Sequence, residues 1–545
     1  MKQRRLMGMG AAALAGAMAL TACGGGGDDG GSSGDNTTPL TIYNTKPENP
    51  LVPANTNENG GSNVIRAVFR GLVEYNADTA APELAMAESI ESKDSKVWDI
   101  KLKAGQKFQD DTPVNADSFI KAWNWASYGP NAAINNYFFA PIAGYDEMNP
   151  ADPDAEGPKK APTPTVKELS GLKKVSDTEF TVTLSAPQAI FEVEVGYQAF
   201  DPMPEAFYKD PEAFGKKPIG NGPFQFVSGD GDTGFTLKRW DGYQGADKPK
   251  IDQVQFKTYT SPEAGYADLV AGNLDFMDQV PPADLVNDQY KQDLPDRTVN
   301  KPVGTIGTMT LPYYQKNYQD PNLGKAISLA IDRAAIVKSI FNNGRTPATG
   351  WVSPVVDGYK AGACGEFCTF NPAKAKEYLA KSTFKGPFTF STNFDGQGNK
   401  ELADALCNSI KTNLGVGCTP KAYVDFGAFR ADVDAHKMTS LFRTSWVMDY
   451  PSIQNFLEPL YVTGASANDG LYSNKQFDAT IKQANAQSGE EALATYQKAE
   501  AMLAEGMSVI PLWYYAQQSG WSERLENVKV TPQELLDLSS VTLKS

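Results

Sequence analysis

Apolar and polar residues alternate in several short runs along the chain, and such alternation predicts half-buried strands. Trp98-Asp99-Ile100-Lys101-Leu102 is one, Phe180-Thr181-Val182-Thr183-Leu184 a second, and Val254-Gln255-Phe256 a third. Between them the period changes to that of a helix. After Asn115, a side chain suited to an N-cap, Ala116, Phe119, Ile120 and Trp123 fall on one helical face. Lys325 to Phe341 carries Ile327, Ala330, Ile331, Ala334 and Val337, with Asp332 placed to cap a second start. Ser488-x-x-Glu491 reads as a capping box ahead of Leu493, Tyr496, Met502 and Leu503. Strands and helices alternate without a repeat, which predicts an α/β or α+β body.

The first 23 residues break this pattern. Lys2, Arg4 and Arg5 precede a short Gly/Ala-rich apolar stretch that ends at Leu20-Thr21-Ala22-Cys23. A charged start, a brief apolar run and small residues at its end predict a secretory signal over 1–22, too short to span a bilayer comfortably. The following GGGGDDGGSSGDNTT holds no apolar residue, so 23–38 is expected to be a tether with a reach of about 20 Å. It contains a formal G-x-S-x-G, but that esterase motif requires a strand before it and a helix after it. No later stretch is long and apolar enough to cross a membrane.

Composition removes several function classes. There are 50 basic and 65 acidic residues, a net charge of −15, which becomes −18 once the three basic residues of the signal are removed. An acidic surface does not suit a duplex-DNA binder, and no nucleic-acid partner is expected. One histidine, His436, excludes histidine-rich zinc sites. No phosphate-binding P-loop is present, and Asp152-x-Asp154-x-Glu156-Gly157 lacks the terminal carboxylate that a calcium loop needs. No cofactor or metal site is expected. If Cys23 is set aside, Cys364, Cys368, Cys407 and Cys418 remain, an even number suited to disulfides in an exported protein. Three pairings are open, and proximity in the chain favours Cys364–Cys368 with Cys407–Cys418.

Several segments, taken in order, resemble the peptide/nickel family of extracytoplasmic solute-binding proteins that feed ABC importers. They are Phe69-Arg70-Gly71-Leu72, Pro82-Glu83-Leu84-Ala85, Trp98 to Gly105, Lys107-Phe108-Gln109-Asp110-Asp111-Thr112-Pro113, and Ile219-Gly220-Asn221-Gly222-Pro223-Phe224. Gly272-Asn273-Leu274-Asp275, Lys325 to Arg333, Trp446-Val447-Met448-Asp449-Tyr450-Pro451 and Ile510-Pro511-Leu512 complete the series. Leu20-Thr21-Ala22-Cys23 is similar to the bacterial lipobox, which implies lipid on Cys23 and attachment to the outer face of the cell membrane.

The resemblance implies a periplasmic-binding-protein-like α/β fold (class II type), two lobes joined by a hinge, with an extra subdomain on lobe I. Lobe I is expected over 39–62, 206–303 and 511–545, the extra subdomain over 63–205 and lobe II over 304–510. The hinge is expected near Val303–Leu311 and Pro511. Such a molecule traps an oligopeptide by closing on it and hands it to permease subunits, acting as a monomer and not as an enzyme. Asp449 is expected to pair with the ligand's α-ammonium, with Trp446 and Tyr450 lining the adjoining pocket. Asn221 and Gly222 are expected at the lobe I cleft edge, and Asn393, Phe394 and Asp395 in a lobe II cleft loop. The competing readings are the same fold holding a nickel chelate, siderophore, opine or oligosaccharide, a sensory or adhesive role, and a surface-anchored hydrolase.

Overall fold

The computed structural model describes residues 38–152, 160–394 and 398–544, so Cys23, the signal 1–22, nearly all of the tether and Asp395 lie outside the described residues. The body is organised by one large mixed sheet. Strand β1 (Leu40–Asn44) lies inside it, parallel to Gln253–Thr258. Beyond Gln253–Thr258 come Gly234–Arg239 and Phe224–Asp230, both antiparallel. The centre is formed by two thirteen-residue strands, β2 (Thr298–Thr310) and β4 (Val509–Trp521). They pair antiparallel from Thr298 opposite Gly520 to Thr310 opposite Val509, and their register slips between Pro302 and Ile306. Past them lie β3 (Leu441–Val447), Phe388–Asn393 and Cys418–Tyr423.

Buried apolar side chains fall into two large clusters. The first draws mostly on residues 40–256 and the C-terminal segment 525–541. The second draws on residues 306–514, with Ala80 the one member from outside that range. β2 and β4 run from one to the other, so the chain is two-lobed with paired strands in between. A separate four-stranded antiparallel sheet, with strands Ala87–Ser92, Val97–Leu102, Glu179–Thr183 and Leu172–Ser176 in spatial order, belongs to the first cluster. All three alternating segments are strands as expected, and their inward residues Trp98, Ile100, Phe180, Val182, Val254 and Phe256 are buried.

Helix Ala116–Ser127 forms as expected. Asn115 Oδ1 accepts the Ser118 N–H at 3.2 Å, and Ser118 Oγ accepts the Asn115 N–H at 3.1 Å. Trp123 and Phe119 pack on Phe180 of the small sheet. Of two further expectations, the second start at Asp332 holds and the Ser488 capping box needs correction. Lys325–Phe341 is divided into Pro321–Ala330 and Arg333–Phe341, and Asp332 caps the second helix by accepting the Ala335 N–H at 3.0 Å. The break is anchored by the buried Arg333, whose guanidinium donates to the carbonyls of Pro511 and Ser328. Ser488 does not build a capping box. It occupies the N-cap position of Gly489–Gly506 without a side-chain bond. Glu491 accepts from Gln487 Nε2 instead, one turn back. Cys364 meets Cys368 and Cys407 meets Cys418, with Cα separations of 5.9 and 4.9 Å. No helix among the described residues is long and apolar enough to cross a membrane.

Candidate functional site

Strand β3 delivers Trp446 and Asp449 to the point where the two lobes meet. The strand ends at Val447, and helix α1 (Ile453–Tyr461) begins after Ser452, whose hydroxyl accepts the Gln454 N–H at 3.2 Å. The turn in between is held from the helix by Asn455, which is fully buried. Its Oδ1 accepts from the Asp449 N–H at 2.9 Å and from Trp446 Nε1 at 3.0 Å, and its Nδ2 donates to Asp449 Oδ2 at 2.9 Å. One amide therefore fixes both side chains. From the other side, Met448 donates its N–H to the Gly304 carbonyl at 2.8 Å. Gly304 lies in the slipped stretch of β2, and a Cβ there would lie 2.3 Å from Met448 Sδ. A side chain at this position would require the Met448 side chain to shift.

The Asp449 carboxylate also accepts a hydrogen bond from Tyr197, which belongs to the first cluster. Arg66 acts on it electrostatically but forms no ion pair with it among the described residues. Burial prevails over these favourable contacts and pushes the carboxyl from 3.8 up to about 7. Burial pushes up the Tyr75, Tyr137, Tyr197 and Tyr450 hydroxyls, and the charge of Asp449 adds to it. Asp449 is thus a partly accessible carboxylate among tyrosines, short of a cation.

The other expected residues divide. Trp446 is half-buried beside Asp449. Tyr450 is 3% exposed, donates its hydroxyl to Gln454 and packs on Phe138, so it seals the junction of the lobes rather than lining open space. Asn221 and Gly222 are not brought to Asp449. Both amide atoms of Asn221 bond the backbone of Arg70, and the Gly222 N–H donates to Val68 at 2.7 Å. Gln109 joins the same knot, donating to the Phe224 carbonyl at 2.7 Å and accepting the Gly220 N–H at 3.0 Å. Three motif segments distant in sequence therefore converge to hold the residues after the helix Asn59–Val68. Asn393 ends the strand Phe388–Asn393, which runs parallel beside β3 with Ser391 opposite Phe442. That register carries Asn393 to the level of Thr444, upstream of Asp449, while Phe394 packs into the second cluster.

Sequence reasoning missed Asn455, Tyr197, Arg66 and a pair of arginines. Arg345 stacks 3.6 Å over Phe341 and 3.8 Å over Tyr515, and together with Arg443 of β3 it pulls the Tyr515 hydroxyl below its usual range. Neither arginine has an ion pair among the described residues. The available signal for Arg66 was its place one helical turn before the Phe69-Arg70-Gly71 motif. The rest are joined by tertiary contact alone.

A cavity of about 380 Å³ adjoins the site, within the usual range for ligand pockets. Arg66, Glu74, Tyr75, Asp201, Asp278 and Glu534 are in its wall, whereas Asp449, Trp446 and Tyr450 are not. Arg66 and Tyr75, which feel the charge of Asp449 or act on it, form the connection.

Two lobes joined by paired strands, with a carboxylate held where they meet, define a binding protein that closes on a solute. The chain belongs to the bacterial extracellular solute-binding proteins, family 5, whose middle-region model matches residues 81–468. It is 28% identical over 498 residues to the dipeptide-binding protein DppE of Bacillus subtilis, covering 86% of each chain. It is 27% identical to the periplasmic oligopeptide-binding protein OppA of Escherichia coli, covering 83% of each. Its fold matches that of the Escherichia coli murein tripeptide binding protein MppA with a TM-score of 0.81 at 21% identity, covering 92% of this chain and 98% of that one.

Proposed function

We propose that this protein is the lipid-anchored, oligopeptide-capturing component of an ABC importer. The observation that carries the reading is Asp449, a carboxylate lodged between the lobes without a cation of its own. A peptide's α-ammonium supplies that cation, and a charge-assisted bond in a site shielded from water is strong. Arg443 and Arg345, the second of them buried, form no ion pair among the described residues and suit the peptide's carboxylate, although the Glu534 charge already acts on Arg345. An extended backbone between the two charges can bond to strand edges without regard to side chains. β2 and β4 act as the hinge, with the slipped register near Gly304 as the flexing point. Ligand contacts on both lobes favour the closed form, which the permease subunits then recognise. Lipid on Cys23 and the tether would keep the binder at the outer face of the cell membrane. The chain makes and breaks no covalent bond in this role.

Native mass spectrometry of protein purified without denaturation tests the proposal. A ladder of co-purified peptide masses is the expected result. A single non-peptide mass that peptides fail to displace overturns the peptide reading.

A further inference from the structure

The cavity beside Arg66 is chemically lopsided. Eight acidic side chains line it against three basic ones. Two of the three cations are already neutralised. Arg70 pairs with Glu74 and with Asp247 at 2.9 Å, and Lys529 pairs with Asp78 at 2.8 Å. Arg66 is the wall cation without an ion pair among the described residues; it acts on Asp201, as Arg70 does, while Arg345 acts on Glu534 from outside the wall and no cation acts on Asp278. Asp201 is 6% exposed, and no hydrogen bond reaches its carboxylate among the described residues. Among the described residues Asp278 accepts from the N–H of its neighbour Gln279 and from its own N–H but from no side chain, and the Glu534 charge opposes it. Glu534 accepts from Thr305 at 2.7 Å and has a φ of +67°, a left-handed backbone that costs a non-glycine residue about 1–3 kcal/mol and that tends to persist at functional sites.

Unpartnered amide atoms are an independent sign that the wall is incomplete. Gln198 is 2% exposed; its Nε2 donates to the Thr56 carbonyl and the Ser62 hydroxyl, and its Oε1 has no partner. Gln533 is 8% exposed and its Nε2 has no partner. Both belong to the cavity wall. Buried polar atoms are almost always satisfied, so the orphaned acceptor Gln198 Oε1 and a bare carboxylate in one wall call for a hydrogen-bond donor, while the Gln533 Nε2 donor is left to another partner. The surplus of carboxylates makes that occupant a cation, and the connection through Arg66 and Tyr75 to Asp449 places it within reach of a ligand seated there.

We propose that this cavity receives a guanidinium or ammonium side chain of the bound peptide, so that the protein selects basic peptides. Asp201, Asp278 and Glu534 would surround the cation, and Gln198 Oε1 would accept one of its N–H groups. This rests on the peptide reading, and the experiment separates the two. The full chain is titrated calorimetrically with alanine tetrapeptides carrying arginine, or its neutral isostere citrulline, at each position in turn. At one position arginine is expected to bind about 10- to 100-fold more tightly than citrulline, the range for one buried charge pair. Asp278→Asn and, separately, Asp201→Asn should reduce that ratio to about threefold or less. The ratio is read within each variant, so a general loss of affinity does not mimic the effect. Equal binding of arginine and citrulline at every position overturns the cationic pocket and leaves the peptide reading standing. Binding of none of the tetrapeptides overturns both.

Discussion

Replacing Asp449 by Asn should weaken binding and strengthen the fold at once. The carboxyl titrates at about 7 in the folded protein and at 3.8 without burial, a gap of about three pH units. At 1.36 kcal/mol per unit, keeping it charged costs up to about 4 kcal/mol. Asp449 is only partly buried by accessible surface, so a discounted 1–3 kcal/mol is the figure to expect. The asparagine keeps an oxygen for Asn455 Nδ2 and carries no charge. The sign follows from the raised value. The folded state holds its proton longer than the unfolded chain, so stability is full below about pH 4 and declines as pH rises towards 7. Asp449→Asn therefore melts at a higher temperature than wild type at pH 8, and the difference shrinks to near zero below about pH 4. Peptide affinity moves the other way, by about 2–5 kcal/mol or some 30- to several-thousand-fold, because the ligand's ammonium loses its partner in a closed site. Differential scanning calorimetry at the two pH values and titration with a tetrapeptide read the two effects. A variant that is less stable at pH 8 and binds as tightly as wild type would show that Asp449 only shapes the turn before Pro451.

Binding an ammonium should lower the Asp449 value, so peptide capture below pH 7 releases a proton and affinity falls towards pH 5; calorimetry in buffers of different ionisation enthalpy measures that proton. Asn455→Ala removes three hydrogen bonds at a fully buried position and should destabilise the fold by about 2–4 kcal/mol in urea unfolding while weakening peptide binding through the freed Trp446 and Asp449. Gly304→Ala places a methyl 2.3 Å from Met448 Sδ and should cost about 1–3 kcal/mol in the same assay, with slower closure in stopped-flow tryptophan fluorescence. Replacing Cys407 and Cys418 by Ser, which opens a loop with a sequence separation of 11, should lower stability by about 2–3 kcal/mol in non-reducing buffer.

Local order was legible where short-range physics decides it. The alternating runs at Trp98, Phe180 and Val254 are strands, because one face of each packs on a core. Asn115 caps its helix because the cap and the first turn are neighbours in the chain. Ser488 failed for the same kind of reason, since Gln487, also close by, engages Glu491. Asp449 was legible only through its motif. Its partners Asn455 and Tyr197 lie six residues ahead and 252 residues back in the numbering, and no pattern in the chain joins them. Asn221 and Gly222 were marked by their motif but hold backbone in place, because a short recurring run does not say whether it serves packing or ligand.

Residue order alone thus settles the alternation of strands and helices, the acidic balance, the ordered motif series and the even set of four body cysteines. Folding settles which charges are left without a counterpart. A carboxylate is an ordinary surface group until the chain closes around it. The raised pKa of Asp449, the bare Asp201 and the buried Arg345 arise only when segments hundreds of residues apart exclude water together, and desolvation of that kind depends on three-dimensional neighbours.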